Sequence, residues 1–214
     1  MKLQISLVTG KRSAGFTIVE LMIALLIAGI LLGIGLPEMR DFIRNQRLYS
    51  SGTDMLHSLQ LARSEAIKLQ LPAPQSVIAC ASLNPTAPTP VCSYGSFSGW
   101  IVFQDTNGNW QYDAGEQILE RHDTLDSTVT VRTDGSGIVS YAGTGFANGL
   151  GAPAGLTMSQ NTVICDARGT GLISPTSSLS LGRAVTISNT GRTLTTNNYV
   201  AVTNALTAIG ASCP

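Results

Sequence analysis

The run over residues 16–36 constrains this chain more than any other feature: it is apolar or small throughout, apart from one carboxylate, Glu20. About 20 such residues suffice to cross a bilayer as a helix, so the segment reads as a membrane span. An acidic side chain at that depth costs on the order of 3 kcal/mol unless it is protonated or paired. Glu20 is therefore a functional candidate, and its partner must be a cation at the same membrane depth.

Residues 1–15 form a polar leader with Lys2, Lys11 and Arg12 and no acidic residue. A secretory signal places its small-residue cleavage site after the apolar core. Here the small residue, Gly15, comes before the core, and no convincing Ala-x-Ala site follows it. Cleavage after Gly15 would keep the apolar helix and expose a new amine on Phe16. That amine is the cation Glu20 requires, supplied by a neighbouring chain, because its own lies only four residues away at a frayed helix end. The alternative is a plain single-span anchor with an incidental Glu.

Gly15-Phe16-Thr17-Ile18-Val19-Glu20-Leu21-Met22 followed by an apolar helix resembles the class III signal of type IV prepilins and type II secretion pseudopilins. The resemblance implies cleavage between Gly15 and Phe16 by the inner-membrane prepilin peptidase, then N-methylation of Phe16. It implies that Glu20 pairs with the N-terminal amine of an adjacent subunit during assembly. Pro37 matches a proline common in pilin helices.

The positive-inside count is a tie, with Lys2, Lys11 and Arg12 before the span and Arg40, Arg44 and Arg47 after it. The leader and the cysteines decide the orientation instead. The expected protein is single-pass in the bacterial inner membrane, with its N-terminus cytoplasmic and its C-terminal domain periplasmic. Its 13 basic residues balance 13 acidic ones, and losing the three leader cations leaves 10 against 13. That balance argues against a polyanion-binding protein by bulk charge. Cys80, Cys92, Cys165 and Cys213 have no Cys-x-x-Cys spacing, and in an oxidising compartment an even set reads as two disulfides. Three pairings are open. We favour Cys80–Cys92, closing a proline-rich loop, with Cys165–Cys213 pinning the C-terminal region.

Over residues 38–70, Met39, Phe42, Ile43, Tyr49, Met55, Leu56, Leu59, Ala62, Ala66 and Ile67 recur mostly at three- and four-residue spacings, which predicts an amphipathic continuation of the membrane helix. Ser50 to Asp54, with Gly52 at its centre, is a weak point where the helix could bend or break. Pro72 and Pro74 end it. Arg63 and Glu65 read as a solvated face. Beyond residue 75, short alternating runs predict strands over 76–81, 100–104, 117–121, 128–133, 138–142, 162–165, 183–188 and 192–195. Turn-rich segments separate them without helical crossovers, so the sheets should be mostly antiparallel. The domains expected are a leader over 1–15, a transmembrane segment over 16–37, an amphipathic helix over 38–70 and a β-rich globular domain over 71–214.

The pattern after Gly15 resembles the GspH/FimT family of minor pilins and minor pseudopilins. Ala62-Arg63-Ser64-Glu65-Ala66-Ile67 and Gly99-Trp100-Ile101-Val102-Phe103 carry it, with Asp105-Thr106-Asn107-Gly108-Asn109, Asp113-Ala114-Gly115-Glu116 and Gly191-Arg192. The resemblance implies an α+β, pilin-like fold, a long N-terminal α-helix packed on a C-terminal antiparallel β-sheet domain.

Asp105, Asn107, Asn109, Asp113 and Glu116 have the oxygen spacing of positions 1, 3, 5, 9 and 12 of a calcium loop, yet position six, which needs Gly, is Trp110. Asx-turns closing a hairpin explain the same residues without a metal. Gly191-Arg192-Thr193-Leu194 sits where DNA-binding relatives carry Gly-Arg-x-Arg, with Leu194 replacing the second arginine. Arg168, Arg183 and Arg192 could form a basic cluster, against which Asp134, Asp166 and the net acidity work. His57 and His122 stand apart from cysteine or paired carboxylate, and no nucleophile elbow or phosphate loop occurs. The expectation is a non-enzymatic, cofactor-free assembly protein. Its expected partners are other minor and major pilins or pseudopilins, the prepilin peptidase, the inner-membrane assembly platform and membrane lipid.

Overall fold

A threonine starts the first element: Thr17 Oγ1 accepts the Glu20 N–H at 3.2 Å, capping a helix that has no earlier turn to satisfy its first amides. The computed structural model describes residues 15–95, 99–147, 149 and 152–214, and the main-chain course only at Pro37. The leader residues Lys2, Lys11 and Arg12 lie outside the described residues. Helix α1 spans Ile18–Leu69 and passes through Pro37 and Gly52 unbroken. The chain divides within it into two units, Met1–Phe42 and Ile43–Pro214.

In the first unit every described side chain from residue 15 to 42 is exposed, apolar ones included. By length and hydropathy α1 is able to cross a membrane. A helix that is apolar all round is soluble only when lipid or other helices cover it.

In the second unit, α1 from residue 43 onward buries Leu48, Ser51, Met55, Ser58, Leu59, Ala62 and Ala66. This seam is narrower than the apolar pattern predicts: Met39, Phe42, Ile43, Tyr49 and Ile67 are exposed. The bend or break open to residues 50–54 does not occur. Ser50 Oγ donates to Asp54 Oδ2 at 3.1 Å, which satisfies two of its polar groups locally. The helix ends at Gln70, whose φ of 48° closes a last bond to the Ala66 carbonyl before the prolines.

Eight strands follow: β1 Ser76–Ser82, β2 Gly99–Asp105, β3 Ile118–His122, β4 Thr130–Thr133, β5 Ile138–Tyr141, β6 Asn161–Cys165, β7 Leu179–Ile187 and β8 Thr193–Asn198. They form two antiparallel four-stranded sheets, ordered β3-β2-β1-β5 and β4-β6-β7-β8. All eight predicted strands are present. Strand β7 begins four residues earlier than predicted, with a register shift between Leu179 and Ala184. A final helix, α2 Tyr199–Ile209, is one the sequence pattern does not predict. Asn198 Oδ1 caps it by accepting the Ala201 N–H, and Gly210 ends it at φ 69°.

Val77, Ala79, Trp100, Val102, Val139, Tyr141, Ile164, Val185 and Ile187 join the α1 seam in one core. Alternate residues of β1 and β2 face the other way, where Ile78, Cys80, Ile101 and Phe103 meet Trp110 and Cys92. In the second sheet the alternate positions Val163 and Ala184 pack on Val202 and Ala205 of α2. Both sheets are thus covered on both faces, which is why β1 is buried along its whole length. Each fully buried Val or Ile contributes roughly 1.5–3 kcal/mol relative to an exposed one. Disulfides join Cys80 to Cys92 and Cys165 to Cys213, with Cα separations of 5.6 and 6.2 Å. The second ties the segment after α2 to β6.

Candidate assembly site and the loops of the domain

The assembly motif lies at the start of α1. Gly15 is exposed, and a Cβ built on it would meet nothing within 4 Å. Phe16 is 77 % exposed and precedes the helix cap at Thr17. Glu20 stands in the first turn with its side chain exposed. Among the described residues no cation reaches it. Thr17 and Glu20 have the spacing of a capping box, a Ser or Thr followed three residues later by Glu or Gln. That local role is one the apolar-run argument overlooks, and it is visible in the residue order alone.

The loop between β2 and β3 uses its acidic and amide side chains internally. Asp105 is buried, and its two oxygens accept the N–H groups of Asn107, Gly108 and Trp110 at 3.2, 2.7 and 3.0 Å. Asn107 and Asn109 each accept an N–H two residues on, and both donate to Asp113 Oδ2 at 2.7 Å. Glu116 accepts from the Thr106 and Asp113 amides. The oxygens face loop amides, which is the Asx-turn arrangement. Among the described residues no group of three or more metal-type side chains converges. Trp110 occupies the sixth position with φ 62°, the conformation glycine would supply. A non-glycine there costs roughly 1 kcal/mol, set against burial of the whole indole, whose Nε1 is buried without a hydrogen-bond partner among the described residues. Millimolar calcium should leave the melting temperature unchanged to within about 1 °C, whereas tight binding at 100 Kd would add about 2.7 kcal/mol. A rise of several degrees would show the loop reorganising around the ion.

The three arginines of the nucleic-acid reading occupy different surroundings. Arg168 forms a fork on Asp166, with Nε 3.1 and 3.0 Å and Nη2 2.7 Å from the carboxylate oxygens, and Nη2 also donates to Asn45 Oδ1 at 2.9 Å. Arg183 lies over the Tyr49 ring, 4.8 Å from its centroid, and burial lowers its pKa from the usual value. Of the three, Arg192 alone is exposed.

Burial acts to raise the Asp166 pKa, but the Arg168 side-chain and backbone N–H groups, with the charges of Arg168 and Arg44, hold it below the ordinary carboxylate value. A depressed folded pKa stabilises the fold above the unfolded value and is lost as pH falls through the folded one. Thermal stability should therefore fall as pH drops below about 4. Asp166→Asn should melt lower at pH 7 and lose less on acidification. A parental pH profile in that variant would assign the acid sensitivity elsewhere.

Two further clusters hold α1 against the sheets. Trp100 Nε1 donates to Ser58 Oγ at 2.8 Å, which itself donates to Glu120 Oε1 at 2.8 Å. His122 stacks on Trp100 at 3.7 Å, with Nε2 3.6 Å from Asp54 Oδ2. Arg63, predicted to lie on a solvated face, instead donates Nε to the Gly145 carbonyl and Nη2 to the Thr190 carbonyl, each at 3.1 Å. It joins the loop after β5 to the β7–β8 turn.

Residues 10–36 match the prokaryotic N-terminal methylation motif, and residues 52–191, well over half of the chain, match the type II transport protein GspH. The chain belongs to the GspH family. Members are structural, pilin-type proteins, and the apolar N-terminal helix with its prepilin motif fits a membrane-anchored pilus component. Among solved structures, a crystal structure of the type IV minor pilin FimU of Pseudomonas aeruginosa PAO1 is similar at 18% identity. The match covers 72% of this GspH-family chain and 90% of that one, with a TM-score of 0.42. Comparison with curated proteins gives no match.

Proposed function

We propose that this protein is a minor type IV pilin that takes part in priming pilus assembly, and through it in twitching motility and adhesion. The observation that carries the reading is Glu20, the one charge in the run over 16–36, five residues after Gly15. Prepilin peptidase cleaves after Gly15, Phe16 becomes the methylated N-terminus, and Glu20 takes the N-terminal amine of an adjacent subunit. The apolar half of α1 holds the subunit in the inner membrane with the C-terminal domain in the periplasm. The same half then enters the filament core beside other pilin helices. Because Glu20 is present, the subunit docks beneath another one instead of standing alone at the tip.

A second reading, a minor pseudopilin of type II secretion, is favoured by the description of the matched family as a type II transport protein. Deleting the gene separates the two: loss of surface pili supports the first, and loss of exoprotein secretion with normal piliation supports the second. DNA capture draws no support from Arg168 and Arg183, whose guanidinium groups already face Asp166, Asn45 and Tyr49. Gly15→Leu tests the shared core. The variant should accumulate as a precursor larger by the leader on a denaturing gel, and normal processing would contradict the assignment.

A further inference from the structure

Thr17 sets the start of α1 with both of its oxygens. Its carbonyl accepts the Leu21 N–H at 3.1 Å, the first bond of the helical ladder, and its Oγ1 accepts the Glu20 N–H at 3.2 Å. That is the full geometry of an N-cap residue, which stands half in the helix and half outside it. Residues 15–17 are accordingly non-helical, and α1 begins at Ile18. The Gly15–Phe16 bond therefore lies just outside the first turn. Phe16 is exposed, and a Cβ at Gly15 would meet nothing within 4 Å. Independently, the N-terminal methylation motif matches residues 10–36, so it straddles this bond and continues into the helix.

Without the Thr17 side-chain acceptor, α1 would need another start. Fraying inward would strip the Leu21 N–H of its acceptor within the apolar run, where no water replaces it and an unsatisfied amide is costly. Extension outward carries the helix toward water and toward Ser13, the next side chain upstream with a capping oxygen. A helix capped at Ser13 has Ala14, Gly15 and Phe16 as its first turn, with the scissile bond inside it. Peptide bonds are cut in exposed, opened chain, and helix–coil exchange takes about a microsecond, so cleavage follows the population in which the bond lies outside the helix. We propose that Thr17 is a positioning residue for processing: its Oγ1 stops α1 short of Gly15–Phe16 and so presents that bond to the peptidase. The proposal rests on the reading that the chain is cleaved after Gly15. Hydrolysis adds one water across the amide, leaving a carboxylate on Gly15 and the amine on Phe16. Thr17 takes no part in that step and only fixes the shape of the substrate.

Full-length precursors in membranes, mixed with a limiting amount of prepilin peptidase, test it by the rate at which the mature band appears on a denaturing gel. Equal insertion of each variant is checked by alkaline extraction. Thr17→Val keeps the size and branching of Thr without the acceptor and should be cleaved about fivefold more slowly, the change in population that loss of a cap produces. Thr17→Ala, which also lacks the acceptor, should be slowed alike. Thr17→Ser and Thr17→Asn both restore a capping oxygen and should be cleaved at about the parental rate, although Asn differs from Thr in shape. A parental rate in Thr17→Val or Thr17→Ala overturns the proposal. So does slow cleavage of either capping variant, which would show the peptidase reading the threonine itself. In both cases the parent is still processed and the cleavage reading stands. A parent that is not cleaved overturns that reading, and the role of Thr17 with it.

Discussion

Glu20→Gln should be processed and inserted normally and yet fall at least tenfold in the filament fraction. Gln keeps the shape of Glu, and the bond from the residue-20 N–H to Thr17 Oγ1 is a main-chain one that the substitution leaves in place. What the change removes is the charge. Gln is still polar and residue 20 lies in the first turn, so insertion should change little while assembly falls, a split that a merely destabilising substitution would not produce. An ion pair formed inside a helix bundle, away from water, is strongly destabilised when one partner is lost, by about 3–5 kcal/mol. That is enough for a hundredfold or greater change in occupancy. Glu20→Ala keeps the same main-chain bond to Thr17, so it should lose incorporation to a similar extent. Parental incorporation of Glu20→Gln would remove the main support for the assembly reading.

Gly191→Ala should be the most damaging small substitution in the domain. A Cβ at Gly191 would stand 2.0 Å from the Gly145 carbonyl oxygen and 3.1 Å from Arg63 Nε, and the residue has φ 77°. Two backbone segments meet there with the Arg63 guanidinium between them and Ile67 beneath, 2.7 Å from a would-be Cβ at Gly145. The positive φ alone disfavours Ala by roughly 1–2 kcal/mol, and moving a backbone carbonyl adds about 1–3 kcal/mol. For a domain of this size the melting temperature should drop by on the order of 10 °C. Arg63→Ala alone should be milder, because it leaves two carbonyls that water can reach. The double variant should be less than additive, since both changes open the same junction. A Gly191→Ala melt within 2 °C of the parent, followed by circular dichroism in detergent, would show that the loops separate freely.

The architecture was legible where physical signals are local. Eight strands followed from alternation and turn residues, and α1 from its periodicity between Glu38 and Gln70. Helix α2 was missed: Tyr199 to Ile209 carries two Val and two Thr, whose branched side chains weaken the helix signal. Its termini were nonetheless written in Asn198 and Gly210, a cap acceptor and a left-handed stop. The start of β7 was left unassigned because Gly182 interrupts the alternation of Leu179 and Leu181. The narrow seam of α1 was not visible, since period alone does not say which apolar side chains meet a sheet. Arg63 could not have been placed from sequence. Its acceptors lie 82 and 127 residues away and are carbonyls, which any residue provides. Glu20 was legible for the opposite reason: its meaning lies in residue order around a cleavage point, and folding one chain supplies it no cation among the described residues.

The seam of α1 has a consequence for the order of folding. Met55, Leu59 and Ala62 share a core with Val77 of β1 and with Val185 and Ile187 of β7. A chain made from its N-terminus therefore presents the helix seam long before the strands that cover it arrive. Contacts of such sequence separation form late, because the closing loops are long. Until β7 arrives the seam has no cover on that side, so the core of the second unit closes last where its helix began.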